Sequence, residues 1–107
     1  MAPKMITHVV LLRFPAITPQ ARIRELTEPF LRLPERIPGL VAVSVGPNTS
    51  PEGLDAGYRH GLIMRFVTAA DRDVYLTHPA HVAVAAPLVA ALERGTDDVV
   101  VFDMETD

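Results

Sequence analysis

Apolar residues follow two rhythms along this chain, β-branched runs and helical repeats, and proline or glycine stands at most of the boundaries between them. The stretch from Ile6 to Phe14 is β-branched and apolar and stops at Pro15, which predicts a first strand. Thr18 before Pro19 offers an N-cap with proline at the first helical position, and Ile23, Leu26, Phe30, Leu31 and Leu33 then recur at near-helical spacing. A helix is expected to about Arg36, bent or divided at Pro29 and closed by Ile37-Pro38-Gly39.

Leu40 to Val45 reads as a second strand ended by Gly46-Pro47, and the turn-forming residues from Asn48 to Gly57 read as an exposed loop. Tyr58 to Val67 is the third strand. Thr68 and Asp71 form a capping-box-like start to a second helix, which His78-Pro79 must break. Proline suits the first position of a new helix, so another is expected from Pro79 to about Glu93, bent by Pro87 and stopped by Gly95. Val99 to Met104 is the last strand. The order β-α-β-β-α-β is that of the ferredoxin-like split βαβ motif, an α+β protomer with a four-stranded antiparallel sheet.

The strands are apolar on both faces. Ile6, Val10, Leu12 and Phe14 alternate with Val9 and Leu11; Val41, Val43 and Val45 oppose Leu40 and Ala42; Val99 and Val101 oppose Val100, Phe102 and Met104. The helices can cover one face only. A second copy of the chain, packed sheet to sheet about a two-fold axis, would cover the other, so a homodimer is expected.

Composition bounds the chemistry. The 107 residues are 49% hydrophobic with a net charge of −3, four histidines and neither cysteine nor tryptophan, and residues 1–107 read as one domain. Area scaling gives roughly 17,000 Å² for the unfolded chain and about 5,900 Å² for the folded one, enough burial for a core without staples. Disulfides, a cysteine nucleophile and thiolate metal sites are excluded. With a pI near 5.7 and the arginines scattered singly, no basic stripe tracks a phosphate backbone, so nucleic acid is not an expected partner. The apolar run at Met5 to Leu12 is too short for a membrane span and lacks the flanks of a signal peptide, so a cytoplasmic protein without membrane partners is expected.

The reactive side chains are His8, His60, His78, His81, Tyr58 and Tyr75. His8 and His60 lie on the two central strands and could stand side by side on one face, and each also reads as an ordinary, partly buried histidine. His81 falls in the first turn of the helix begun by Pro79, where the positive end of the macrodipole disfavours an imidazolium. A neutral imidazole there suits a general base, and Tyr75, across the break, suits a donor to a developing oxyanion. His78 reads as a cap of the new helix. The proline between His78 and His81 spoils a helical metal-ligand pair, and no phosphate loop or serine elbow is present, so neither metal nor cofactor is expected.

Ile6-Thr-His8 through Phe14, Ile37-Pro38-Gly39, Gly46 to Gly53, Gly57-Tyr58-Arg-His60, Tyr75-Leu-Thr-His78-Pro79-Ala-His81 and Val101-Phe102-Asp103 together resemble the stress-responsive dimeric α/β-barrel (Dabb) family over nearly the full chain. The resemblance implies a ferredoxin-like protomer in a homodimeric barrel. Within that family, a plant polyketide cyclase closes a linear poly-β-ketone by cofactor-free aldol condensation. Similarity to it implies catalytic roles for Tyr75 and His81, with His8 and His60 beside them, and a small hydrophobic or β-keto ligand. The stretch Leu26-Thr27-Glu28-Pro29-Phe30 departs from it in keeping one aromatic residue in the first helix. The competing reading is a non-catalytic stress-responsive binding protein. A quinol-forming monooxygenase fits less well, because such sites use Trp and Asn and this chain has only Asn48, in a loop.

Overall fold

The computed structural model describes residues 4–107. Strand β1 spans Met5–Leu12, β2 Leu40–Pro47, β3 His60–Phe66 and β4 Val99–Thr106. They form one antiparallel sheet in the order β2-β3-β1-β4, so β1 and β3 are central, as the split βαβ reading requires. Helix α1 runs Gln20–Thr27 and passes into a 3-10 helix, Glu28–Glu35; α2 runs Ala69–Thr77 and α3 Pro79–Ala90. The helical stretch expected to Arg36 is thus divided just before Pro29, one of the two outcomes expected there. Pro29 has no N–H to continue the α ladder, and the Thr27 hydroxyl donates to the Ile23 carbonyl at 2.9 Å, which competes with it.

The first cap lies one residue later than expected. The Thr18 N–H is spent on the Pro15 carbonyl in a turn, and Pro19, still extended, occupies the cap position without a side-chain bond. Both later caps hold as read. The Thr68 hydroxyl accepts from the Asp71 N–H at 3.1 Å, and His78 Nδ1 accepts from the Ala80 N–H at 3.0 Å.

Ile6, His8, Val10 and Leu12 point from β1 toward the helices, where Phe30, Leu33, Ile37, Leu62, Met64, Phe66 and Tyr75 complete the core. On β2 the expected alternation fails at one point. A bulge between Leu40 and Ala42 leaves Val41 51% exposed and brings Leu40 to the core face with Val43 and Val45. On the other face of the sheet, Leu11, Ile63, Val100, Phe102 and Met104 are all exposed in the protomer. That face is apolar and uncovered.

Candidate functional site

The break between α2 and α3 builds the site. Proline cannot donate to the α2 ladder, and His78 before it is extended, so α3 restarts at an angle that returns His81 to the last turn of α2. The Tyr75 and His81 rings lie 4.1 Å apart, centroid to centroid. His81 Nδ1 stands 3.2 Å from the Leu76 carbonyl oxygen. A carbonyl only accepts, so Nδ1 carries the proton and Nε2 keeps its lone pair.

Electrostatics favours the same state. Burial pulls the His81 pKa below the ordinary histidine value; the Leu76 carbonyl opposes this in part, while His8 and His78 push it further down. Burial drives the Tyr75 pKa well above that of a free phenol, so Tyr75 remains a proton-bearing donor.

His8 closes the third side, its ring 5.9 Å from that of Tyr75. Its Nδ1 is 2.5 Å from Asp103 Oδ1, and Asp103 Oδ2 accepts from Arg72 Nη1 at 2.9 Å. The Arg72-Asp103-His8 chain orients the imidazole from behind. Asp103 and Arg72 escaped the sequence reading, although a carboxylate at the Val99-Val101-Asp103 core-face register was a usable signal. Tyr75, His81 and His8 line an otherwise apolar cavity of about 180 Å³.

His60 is elsewhere, a correction to the expected pairing with His8. In the sheet register His60 stands opposite Leu12 and His8 opposite Met64, four positions apart on β1, roughly 13 Å at the rise of a strand. The two imidazoles share a face but not a site. His60 packs edge-on against Phe14, at 5.7 Å, and does not line the cavity of Tyr75 and His81. His78 is held as a cap, and Tyr58 stacks on Arg13. Among the described residues no group of three His, Asp or Glu side chains is placed to hold a metal, and no helix is long and apolar enough to cross a membrane.

Fold and site together define a ferredoxin-like α+β protomer with a tyrosine-histidine pocket between sheet and helices. The chain belongs to the Dabb family, the stress responsive A/B barrel domain, whose family model matches residues 6–106. The stress-response A/B barrel domain-containing protein HS1 of Arabidopsis thaliana is 31% identical over 89 residues, 83% of this chain and 82% of that protein. A dimeric ferredoxin-like protein of unknown function from Jannaschia sp. CCS1 superposes with a TM-score of 0.85 at 31% identity, covering 95% of this chain and 99% of the other. The hydroxynitrile lyase of Passiflora edulis shares the fold at a TM-score of 0.83 and 20% identity, covering 98% and 95% of the two chains.

Proposed function

We propose that the protein is a cofactor-independent enzyme that deprotonates a β-keto compound and closes or cleaves a carbon–carbon bond by aldol-type chemistry. The observation that carries this reading is the Tyr75-His81 pair, with His81 presenting a neutral Nε2 beside a phenol held in its protonated form. His81 Nε2 takes the acidic proton between two carbonyls, and the C–H electron pair passes into an enolate. The Tyr75 hydroxyl donates to the enolate oxygen, where charge develops in a site of low dielectric. The enolate carbon then attacks a second carbonyl, and the proton on His81 returns to the new alkoxide. His8, aimed by Asp103, orients the ligand; His60, on β3 opposite Leu12, lies too far along the sheet to share that task.

Cavity size limits the substrate. About 180 Å³ is below the roughly 300–1,000 Å³ of ordinary ligand pockets, so only the reacting end of a long chain fits inside. The remainder would leave past Val101, a lining residue that is exposed at the edge strand. The working unit is proposed as a homodimer joined through the uncovered sheet face, a reading supported by that face's apolar side chains and by dimeric relatives of the same fold.

Turnover of a poly-β-keto thioester by the protein, His81→Ala and Tyr75→Phe tests the chemistry. Activity untouched by either substitution would sink it. The small apolar cavity also suits a non-catalytic binding protein, which NMR titration of the histidines distinguishes. A depressed His81 pKa that moves with added ketone or phenol supports the enzyme, and four ordinary, unresponsive histidines support the binding module.

A further inference from the structure

We infer that a second, separate site lies at the other end of the sheet and takes a small organic anion through a carboxylate or phosphate group. Where β1 leaves the sheet and β3 and β4 enter it, a solvent-open cleft of about 630 Å³ is lined by Arg13, Arg59, Arg94 and His60, with Glu93 and Asp98 as its acids. Three guanidinium groups thus face two carboxylates. One of those carboxylates is already committed: buried Asp98 accepts from Arg94 Nε at 3.1 Å, from Arg94 Nη2 at 2.8 Å and from the Arg94 backbone N–H at 2.9 Å. Among the described residues Arg59 has no carboxylate within ion-pair distance, and Glu93 pairs with none of the arginines.

Arg13 is left short of acceptors. Its backbone N–H donates to the Asp98 carbonyl at 3.0 Å, and its guanidinium carbon lies 4.4 Å from the centre of the Tyr58 ring. Its Nε is buried and lacks a hydrogen-bond partner among the described residues, the Asp98 carboxylate standing 3.7 Å away. A buried donor without an acceptor costs free energy, and an arriving carboxylate or phosphate that draws the guanidinium toward it relieves that cost. Gly57 lines the same wall at φ +86°, a left-handed backbone that favours glycine. His60 adds a neutral ring whose Nε2 is likewise buried and unpartnered among the described residues. An imidazole with a proton to give and guanidinium N–H groups are the donors an oxyanion uses.

The site stands apart from the Tyr75-His81 cavity, so its failure leaves that reading intact. The test is an NMR titration of the full chain at low ionic strength with inorganic phosphate in one arm and benzoate in the other, against sodium chloride as a control. Saturable shifts at Gly57, Arg59 and His60 are expected, and the arm that saturates at lower concentration identifies the group the cleft prefers. Arg13→Gln should weaken binding about tenfold to a hundredfold. Arg59→Gln, a change at an exposed loop side chain that the fold does not need, should weaken it in the same direction, and Arg32→Gln on the 3-10 helix should not. Equal shifts with chloride, no saturable shift with either anion, or undiminished affinity in both Arg13→Gln and Arg59→Gln would overturn the site.

Discussion

Tyr75 and His81 stack at 4.1 Å although a proline ends one helix and begins the next between them. The interruption is what makes them neighbours: in one continuous helix, residues six apart would project about 120° apart around the axis and stand about 9 Å apart along it. Their chemistry is separable by substitution. His81→Gln removes the base and should lower kcat by about 10²- to 10⁴-fold. Tyr75→Phe keeps the ring and deletes one donor, so a loss of about 10²- to 10³-fold is expected, with the melting temperature little changed. Equal activity in Tyr75→Phe and the unaltered protein would remove the phenol from the mechanism.

His81 and His60 both have pKa values lowered by burial from 6.5, and Tyr75 has one raised above 10.0 by the same cause. In the window between a depressed folded value and 6.5 the unfolded chain binds more protons, so stability is full above 6.5 and declines as the pH falls through the folded values. For Tyr75 the folded state retains a proton that the unfolded chain releases above 10.0, and stability declines as the pH rises beyond that point. Denaturant midpoints measured from pH 4 to 11 should therefore form a plateau between these limits. Turnover should fall on the acid side with a midpoint below 6.5, because only neutral His81 is a base. An acid limb at or above 6.5 would contradict the burial argument.

His8 is buried, and Asp103 of the edge strand β4, itself held by Arg72 of α2, supplies its polar partner. Removing Asp103 leaves a buried imidazole N–H unpaired. Asp103→Ala should destabilise the protein by about 2 kcal/mol, whereas Asp103→Asn, which still offers an acceptor, should cost about 1 kcal/mol. In a double-mutant cycle with His8→Phe, the coupling energy should be about 1 kcal/mol or more by urea denaturation. Strictly additive effects would mean that the contact contributes nothing to the fold.

Local chemistry was legible in the chain and register was not. Thr68 capping the Asp71 N–H and His78 capping Ala80 are contacts within three residues, settled by hydroxyl, imidazole and proline geometry before any tertiary packing. The apolar surplus on Val9, Leu11, Val100, Phe102 and Met104 was legible too, because strand alternation assigns a side chain to a face without knowledge of its neighbour. Pairing partners are another matter. The bulge at Val41 and the four-residue offset of His8 from the residue facing His60 depend on how β3 slides against its neighbours, which alternation leaves free. The Asp103-His8 contact spans 95 residues of chain, and Arg72 joins it from a helix. Only the assembled sheet brings them together.

Phe102 faces away from the core opposite Val9 on β1 and is 58% exposed, so it contributes little to the protomer's own stability. If the uncovered face is the dimer contact, a carboxylate there meets its symmetry mate or its apolar surroundings across the two-fold axis, where burying an unpaired charge is costly. Phe102→Glu should therefore shift the mass seen by sedimentation from dimer to monomer at micromolar concentration, while circular dichroism shows the fold retained. Ile17, 92% exposed in the turn before α1, provides the matched control. Ile17→Glu should leave the dimer intact. A dimer that survives Phe102→Glu as well would place the contact on another surface and leave the apolar sheet face without an occupant.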